Sequence, residues 1–168
     1  MRRMAIALTA AALLISAGLS AQAPSFAGKW TLVPPPDAAA GGGGGGKGGG
    51  KGGGGGGAFC GMECTITQDA KALTVARMAG GAEVKATYNL DGSASKNSMS
   101  FGGNTIESTS TAKVDAGKIV ITTKQQGQQG EVTRTTTLSL DAGNLKVESS
   151  GPGREGTPVT TTQTYKKG

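Results

Sequence analysis

Beyond residue 58 the chain alternates apolar and polar residues with a period of two. Leu73 and Val75 alternate with Thr74 and Ala76. Val84, Ala86, Tyr88 and Leu90 lie out of phase with Glu83, Lys85, Thr87 and Asn89. The same alternation sets Ile66 against Thr65 and Thr67, and Ile106, Ala112 and Val114 against Glu107, Thr111 and Lys113. It recurs for Ile119 and Ile121, for Val132, Leu138 and Leu140, for Leu145 and Val147, and for Val159 and Tyr165. This pattern marks strands that bury one face and expose the other. The abundance of threonine on the polar face supports the reading, because β-branched side chains suit a pleated surface.

Short turn signals separate these runs: Gln68 to Lys71, Ala79-Gly80-Gly81, Asp91-Gly92-Ser93, Gly102-Gly103-Asn104, Asp115 to Lys118, Gln125 to Gly130, Asp141 to Asn144 and Gly151-Pro152-Gly153. Each offers Gly, Asn or Asp where a hairpin needs a positive φ. Phe26 to Val33 reads as one more strand, which brings the count to about ten. Many short strands joined by such turns predict an antiparallel sandwich or barrel. No helical stripe follows the first 23 residues.

Those first residues read differently. Met1-Arg2-Arg3 precedes the apolar run Met4 to Leu19, the layout of a secretory signal with its basic and hydrophobic regions. The run is shorter than the roughly 20 residues that a spanning helix needs. Ala21-Gln22-Ala23 fits the cleavage pattern, while Pro24 just beyond it makes Ala21 a rival cut site. An uncleaved N-terminal anchor is the alternative. The expected organisation is a signal peptide over 1–23 and a single domain over 24–168. The protein is then periplasmic or secreted, with no stable membrane insertion after cleavage.

A low-complexity insert occupies 34–57. It opens with Pro34-Pro35-Pro36, and from Gly41 to Gly57 only Lys47 and Lys51 interrupt the glycines. Glycine loses the most backbone entropy on ordering and buries nothing in return, so this tract is predicted to be disordered. A Walker phosphate loop is excluded, because each lysine is followed by glycine rather than Ser or Thr.

Composition narrows the chemistry. The chain contains no histidine, which removes His-based triads, Cys-His dyads and His-containing metal sites. The acids Asp69, Glu83, Glu107 and Glu131 sit on turns or outward strand positions and give no sign of converging. No enzyme and no cofactor is expected. Loss of Arg2 and Arg3 with the signal takes the net charge from +6 to +4. The remaining cations are scattered among acids, with no basic cluster larger than Lys166-Lys167 and with one Trp, two Tyr and three Phe to stack on bases. Nucleic acid is therefore not an expected partner.

Cys60 and Cys64 flank Gly61-Met62-Glu63. In an exported protein a structural disulfide is the first expectation. In an extended strand, Cα atoms four residues apart stand about 13 Å apart, too far to bridge. A disulfide thus requires a turn at Gly61-Met62. The alternatives are a redox pair, for which the spacing is unusual, and a metal site, for which further ligands are lacking.

Several polar residues share the phase of the apolar ones: Arg77, Ser108, Ser110, Arg134, Thr136 and Gln163. A buried arginine must be paired or meet an anion. One reading is a small cavity holding an anionic amphiphile. The other places these residues at a barrel mouth or on a local reversal of face. Trp30 likewise reads either as core packing at one barrel end or as a ligand-stacking residue.

Phe26-Ala27-Gly28-Lys29-Trp30-Thr31-Leu32-Val33 resembles the opening Gly-x-Trp strand of the calycins, the lipocalins and intracellular fatty-acid-binding proteins. The sequence that follows is similar in order: a first strand, a long insertion, then a meander of nine strands. Ile66-Thr67-Gln68-Asp69 and the ending Thr162 to Lys167 also resemble that family. The resemblance implies an all-β fold, an antiparallel meander closing into a lipocalin-like barrel of about ten strands. It also implies a small hydrophobic or anionic amphiphilic ligand inside, with Trp30, Arg77, Arg134 and Tyr165 as candidate contacts. The family's helical lid would fall on the Pro/Gly insert. Its Arg-x-Tyr carboxylate anchor falls on Gln163-Thr164-Tyr165, where only Tyr165 carries over, and its second arginine falls near Leu138. The alternative function is a non-enzymatic structural or interaction protein of the bacterial envelope.

Overall fold

The computed structural model describes residues 24–34, 59–101, 104–127, 130–153 and 156–168. The expected signal segment 1–23, and the insert beyond Pro34, lie outside the described residues, as does the expected turn at Gly102-Gly103.

Ten strands form one antiparallel sheet. They are β1 (Gly28–Leu32), β2 (Glu63–Gln68), β3 (Ala72–Ala79), β4 (Ala82–Asn89), β5 (Asp91–Phe101), β6 (Asn104–Asp115), β7 (Lys118–Gly127), β8 (Gly130–Asp141), β9 (Asn144–Pro152) and β10 (Pro158–Lys167). Their spatial order is β4-β3-β2-β1-β10-β9-β8-β7-β6-β5. Consecutive strands are hydrogen-bonded neighbours throughout except at β4–β5, and β1 pairs with β10 through Trp30–Lys167, Thr31–Lys166 and Leu32–Tyr165. The sheet thereby curls into a nearly closed, lipocalin-like barrel, which leaves few free edge groups.

Turn chemistry sets the register. Ala116 and Gly117 have φ of 45° and 78°, and Ala142 and Gly143 have 48° and 80°. Two successive positive φ values match the two-residue hairpins that suit strand twist. Asp69 shapes a third turn, its Oδ1 accepting from the backbone N–H of Lys71 at 2.7 Å and of Ala72 at 2.8 Å. Asp91 Oδ1 accepts from Ser93 N–H at 2.8 Å. For Asp69 these backbone bonds, and for Asp91 first the Ser93 hydroxyl and then its N–H, hold both carboxyls below the usual carboxylate range. A depressed folded-state pKa contributes stability that is present above the unfolded value near 3.9 and is lost as pH falls through the folded value. Replacing both by asparagine keeps an acceptor oxygen but removes the titration. Urea midpoints of the wild type should therefore drop relative to D69N/D91N below about pH 4. Parallel curves would contradict this assignment.

Two connections depart from the sequence pattern. Asp91-Gly92-Ser93, expected as a turn, is the start of β5, with Leu90 alone between β4 and β5 and a register shift between Asp91 and Ala94. The connection expected as a turn over Gln125 to Gly130 falls within that stretch, but β7 runs to Gly127 and pairs it with Gly130. The first strand is also shorter than expected, with Phe26 preceding it in the core.

Apolar residues of β1 to β3 and β7 to β10 meet at one end. Trp30, Ile66, Leu73, Ile119, Ile121, Leu138, Leu145, Val147 and Tyr165 are all buried there. Burying each such side chain is worth about 1.5–3 kcal/mol. Trp30 Nε1 donates to Phe26 O at 2.8 Å, and Lys167 Nζ lies 5.7 Å from the indole centroid. Val114, Leu140 and Val159 share the inward phase but are exposed. They sit at or near strand ends, beyond the packed interior.

The Cys60–Cys64 disulfide is present, with Cα atoms 4.9 Å apart. The turn it needs is at Gly61, whose φ is +66°. Gly61 O in turn accepts from Tyr165 Oη at 3.2 Å. The bridge thus ties the start of β2 to β10 and holds Phe59 in place. Replacing both cysteines with serine should lower stability by about 2 kcal/mol, the entropic value for so short a loop. Urea unfolding of the variant and of the reduced wild type should agree. No change in either would show that the bridge adds no restraint.

Candidate functional site

Along each strand the inward-facing residues change character part-way. On β7, Ile119 and Ile121 are buried core, followed by Thr123 and Gln125. On β8, Leu138 gives way to Thr136, Arg134 and Val132. On β9, Leu145 and Val147 give way to Ser149, and on β10 Tyr165 gives way to Gln163 and Thr161. On β3, Leu73 and Val75 precede Arg77. Register aligns these changes across the sheet: Ile121–Thr136, Thr136–Ser149 and Thr161–Ser149 are paired positions. The interior is therefore solid and apolar at one end, and at the other it holds a partly open cavity of about 310 Å3. That volume lies at the lower end of small-molecule sites.

The cavity has two unlike walls. On the wall from β3 to β6, Phe59, Val75, Val84, Ala86, Tyr88, Met99 and Ile106 are mixed with Arg77, Lys85, Asn97, Ser98 and Ser108. Thr123, Gln125, Arg134, Thr136, Ser149, Thr161 and Gln163 form a polar one, from β7 to β10. The strand order sets β3, β4 and β5 across the barrel from β8, β9 and β10. Phe59 stacks on Tyr88 with centroids 6.0 Å apart. Burial pushes the Tyr88 phenol up, with the charge of Arg77 opposing it.

Neighbouring hydroxyls lock the polar wall. Ser110 Oγ and Thr123 Oγ1 are 2.8 Å apart, and Thr136 Oγ1 and Ser149 Oγ are 3.3 Å apart. No buried side-chain polar atom among the described residues lacks a partner, as a stable interior requires. Arg77 and Arg134 both line the cavity, together with Lys85, and among the described residues no Asp or Glu does. Lys85 is paired outside with Glu83 at 3.2 Å. Arg77 Nη2 approaches Met99 Sδ at 3.9 Å. Arg134 lies along Gly151: a Cβ there would stand 3.4 to 3.6 Å from its Cγ, Cβ and Cζ. The absence of a side chain at 151 leaves room for the arginine to lie flat against β9.

The residues singled out from sequence thus divide. Arg77 and Arg134 meet at the cavity, with Ser108, Thr136 and Gln163. Trp30 and Tyr165 do not line it and belong to the packed end. Tyr165 acts one step away, its Oη lying 3.1 Å from Oε1 of Gln163, which does line the cavity. Burial pushes the Tyr165 phenol up, opposed by a backbone hydrogen bond at Cys60 and by Arg77. Tyr165→Phe should cost about 1–3 kcal/mol, because Gly61 O and Gln163 lose a buried partner. Thermal unfolding checks this, and an unshifted midpoint would show that water replaces the phenol without loss. Leu138, at the position of the family's second arginine, is buried in the apolar core.

No family model matches the sequence, and no curated protein matches it. The fold does have a solved counterpart. The chain is similar to zebrafish ileal bile acid-binding protein complexed with cholic acid, with a TM-score of 0.50 and 20% identity over 85% of this chain and 98% of that one. The fold is calycin-like. An identity this low speaks for the calycin-like architecture alone, so the cavity's chemistry rests on this chain's own residues. Phe59, Tyr88, Asn97, Thr123 and Ser149 joined the site without having been singled out from sequence. For Thr123 and Ser149 the signal was their phase with Ile121 and Val147.

Proposed function

We propose that this is an exported, non-enzymatic binding protein that holds a small anionic amphiphile in the barrel cavity. The carrying observation is the cavity itself: Arg134 in a polar wall of β7 to β10 that faces the apolar side chains of β3 to β6. The ligand's apolar surface would lie against Val84, Tyr88 and Met99, and its charged group would meet Arg134. Guanidinium groups recognise anions through paired, charge-assisted hydrogen bonds, and Arg134 is half-buried at the cavity. The solved counterpart's cholic acid is itself an amphiphilic acid, which fits the reading. Export is supported by the signal pattern over 1–23 and by a disulfide suited to an oxidising compartment. The intact mass of the mature protein would test it and distinguish cleavage after Ala21 from cleavage after Ala23.

Native mass spectrometry of the protein purified from its own host's envelope, with lipid extraction of what is released, tests the binding. A stoichiometric anionic molecule is the expected result. An empty barrel that takes up no hydrophobic anion would sink this reading. It would favour an interaction role through the outer row of hydroxyls at Thr111, Thr122, Thr135, Ser150 and Thr160, which are successive paired positions.

A further inference from the structure

The residues just ahead of β2 belong to no strand, yet one of them forms part of the cavity. Phe59 to Met62 precede β2, which begins at Glu63. Backbone outside a ladder needs another anchor to hold a side chain in one place. Here the anchor is covalent. Cys64 sits in the ladder, paired with Trp30 on β1 and with Arg77 on β3. The bridge fixes Cys60 to it, and both cysteines are buried. Phe59 is thus one residue from a fixed point in the sheet.

The five-residue ring closed by the bridge reaches both cavity walls. On one side Phe59 stacks on Tyr88 of β4, with centroids 6.0 Å apart, and both rings line the cavity. β3 lies between β2 and β4, so the stack joins elements that are not neighbours in the sheet. On the other side Gly61 O accepts from Tyr165 Oη at 3.2 Å, and the same phenol oxygen lies 3.1 Å from Oε1 of Gln163, a cavity residue. Met62 O accepts from Leu32 N–H at 2.8 Å, which docks the ring on β1 as well.

A bridge acts on two quantities that can be measured apart. Closing a loop restrains the unfolded chain and changes stability. Holding a side chain where the ligand needs it lowers the ordering cost of binding and changes affinity. We propose that the Cys60–Cys64 bridge is a positioning element of the ligand site. It presents Phe59 against Tyr88 as a ready-made apolar surface, so the bridged protein binds the amphiphile more tightly than the unbridged one. This rests on the ligand-binding reading above.

The test uses the full mature protein, fluorescence titration with the anionic dye 8-anilinonaphthalene-1-sulfonate, and the ring-proton NMR signals of Tyr88, one of two tyrosines in the chain. In C60S/C64S without dye, the Tyr88 signals should shift as the Phe59 ring leaves its place. Dye affinity of that variant, folded by circular dichroism and in the absence of urea, should fall roughly fivefold. Phe59→Ala with the bridge intact should weaken the dye roughly tenfold. The triple variant F59A/C60S/C64S should bind no more weakly than F59A alone, because the bridge acts through that ring. Additive losses, or Tyr88 signals and affinity that ignore loss of the bridge, would overturn the positioning role and leave the cavity reading standing. The Phe59→Ala arm does not depend on how well the serine variant folds, and an unchanged affinity there overturns the proposal by itself. Absence of saturable dye binding to the wild type would overturn both.

Discussion

Replacing Arg134 with glutamine should weaken binding of 8-anilinonaphthalene-1-sulfonate by roughly ten- to a hundredfold. A hydrogen bond to a charged group contributes about 1.5–3 kcal/mol, and each 1.4 kcal/mol is a factor of ten. Arg134 is the cavity cation whose aliphatic stem is laid flat along Gly151, so its guanidinium is held in place rather than free to swing. Gln keeps a polar head of similar reach and no charge, so the barrel should fold as before. Fluorescence titration at fixed ionic strength reads the loss, and circular dichroism checks the fold. An affinity unchanged by the substitution would mean that the anion is held elsewhere.

The opposite signature is expected at Trp30. Trp30→Ala removes the largest side chain of the packed end and strands the carbonyl of Phe26 without its indole partner. Aromatic-to-alanine changes in cores cost about 3–5 kcal/mol, a large share of the 5–15 kcal/mol typical of a domain. The urea midpoint should fall steeply. Dye affinity of the protein that remains folded should stay within about twofold, because the indole does not line the cavity. A large loss of affinity with little loss of stability would place Trp30 at the ligand after all.

The contrast between these two residues shows what sequence phase can and cannot resolve. Period-two alternation is enough to read the strands, because one face of each is buried along most of its length. It also puts Arg77, Arg134, Thr136 and Gln163 on the inner face. Phase carries no information about depth along the barrel axis, however. Trp30 and Arg134 have the same phase rule and opposite surroundings, one in solid core and one at the cavity. Only pairing register, such as Ile121 against Thr136 and Thr136 against Ser149, fixes that depth. Asn97 was harder to read. Its partner Thr87 lies on the outward phase of a strand with which it forms no ladder, a relation without a sequence period. Phe59 reaches the cavity because the Cys60–Cys64 turn brings it there. The spacing of the two cysteines required a turn but did not give its direction.

The most direct test is a methyl NMR titration of the mature protein with 8-anilinonaphthalene-1-sulfonate. Methyl signals of Met99, Thr123, Thr136 and Thr161, which line the cavity, should shift and saturate together. Those of Ile119 and Leu138 in the packed end should move little, as should outer-face Thr122, Thr135 and Thr160. Saturable shifts confined to the outer threonines, or no saturable shift at all, would contradict a ligand cavity inside this barrel.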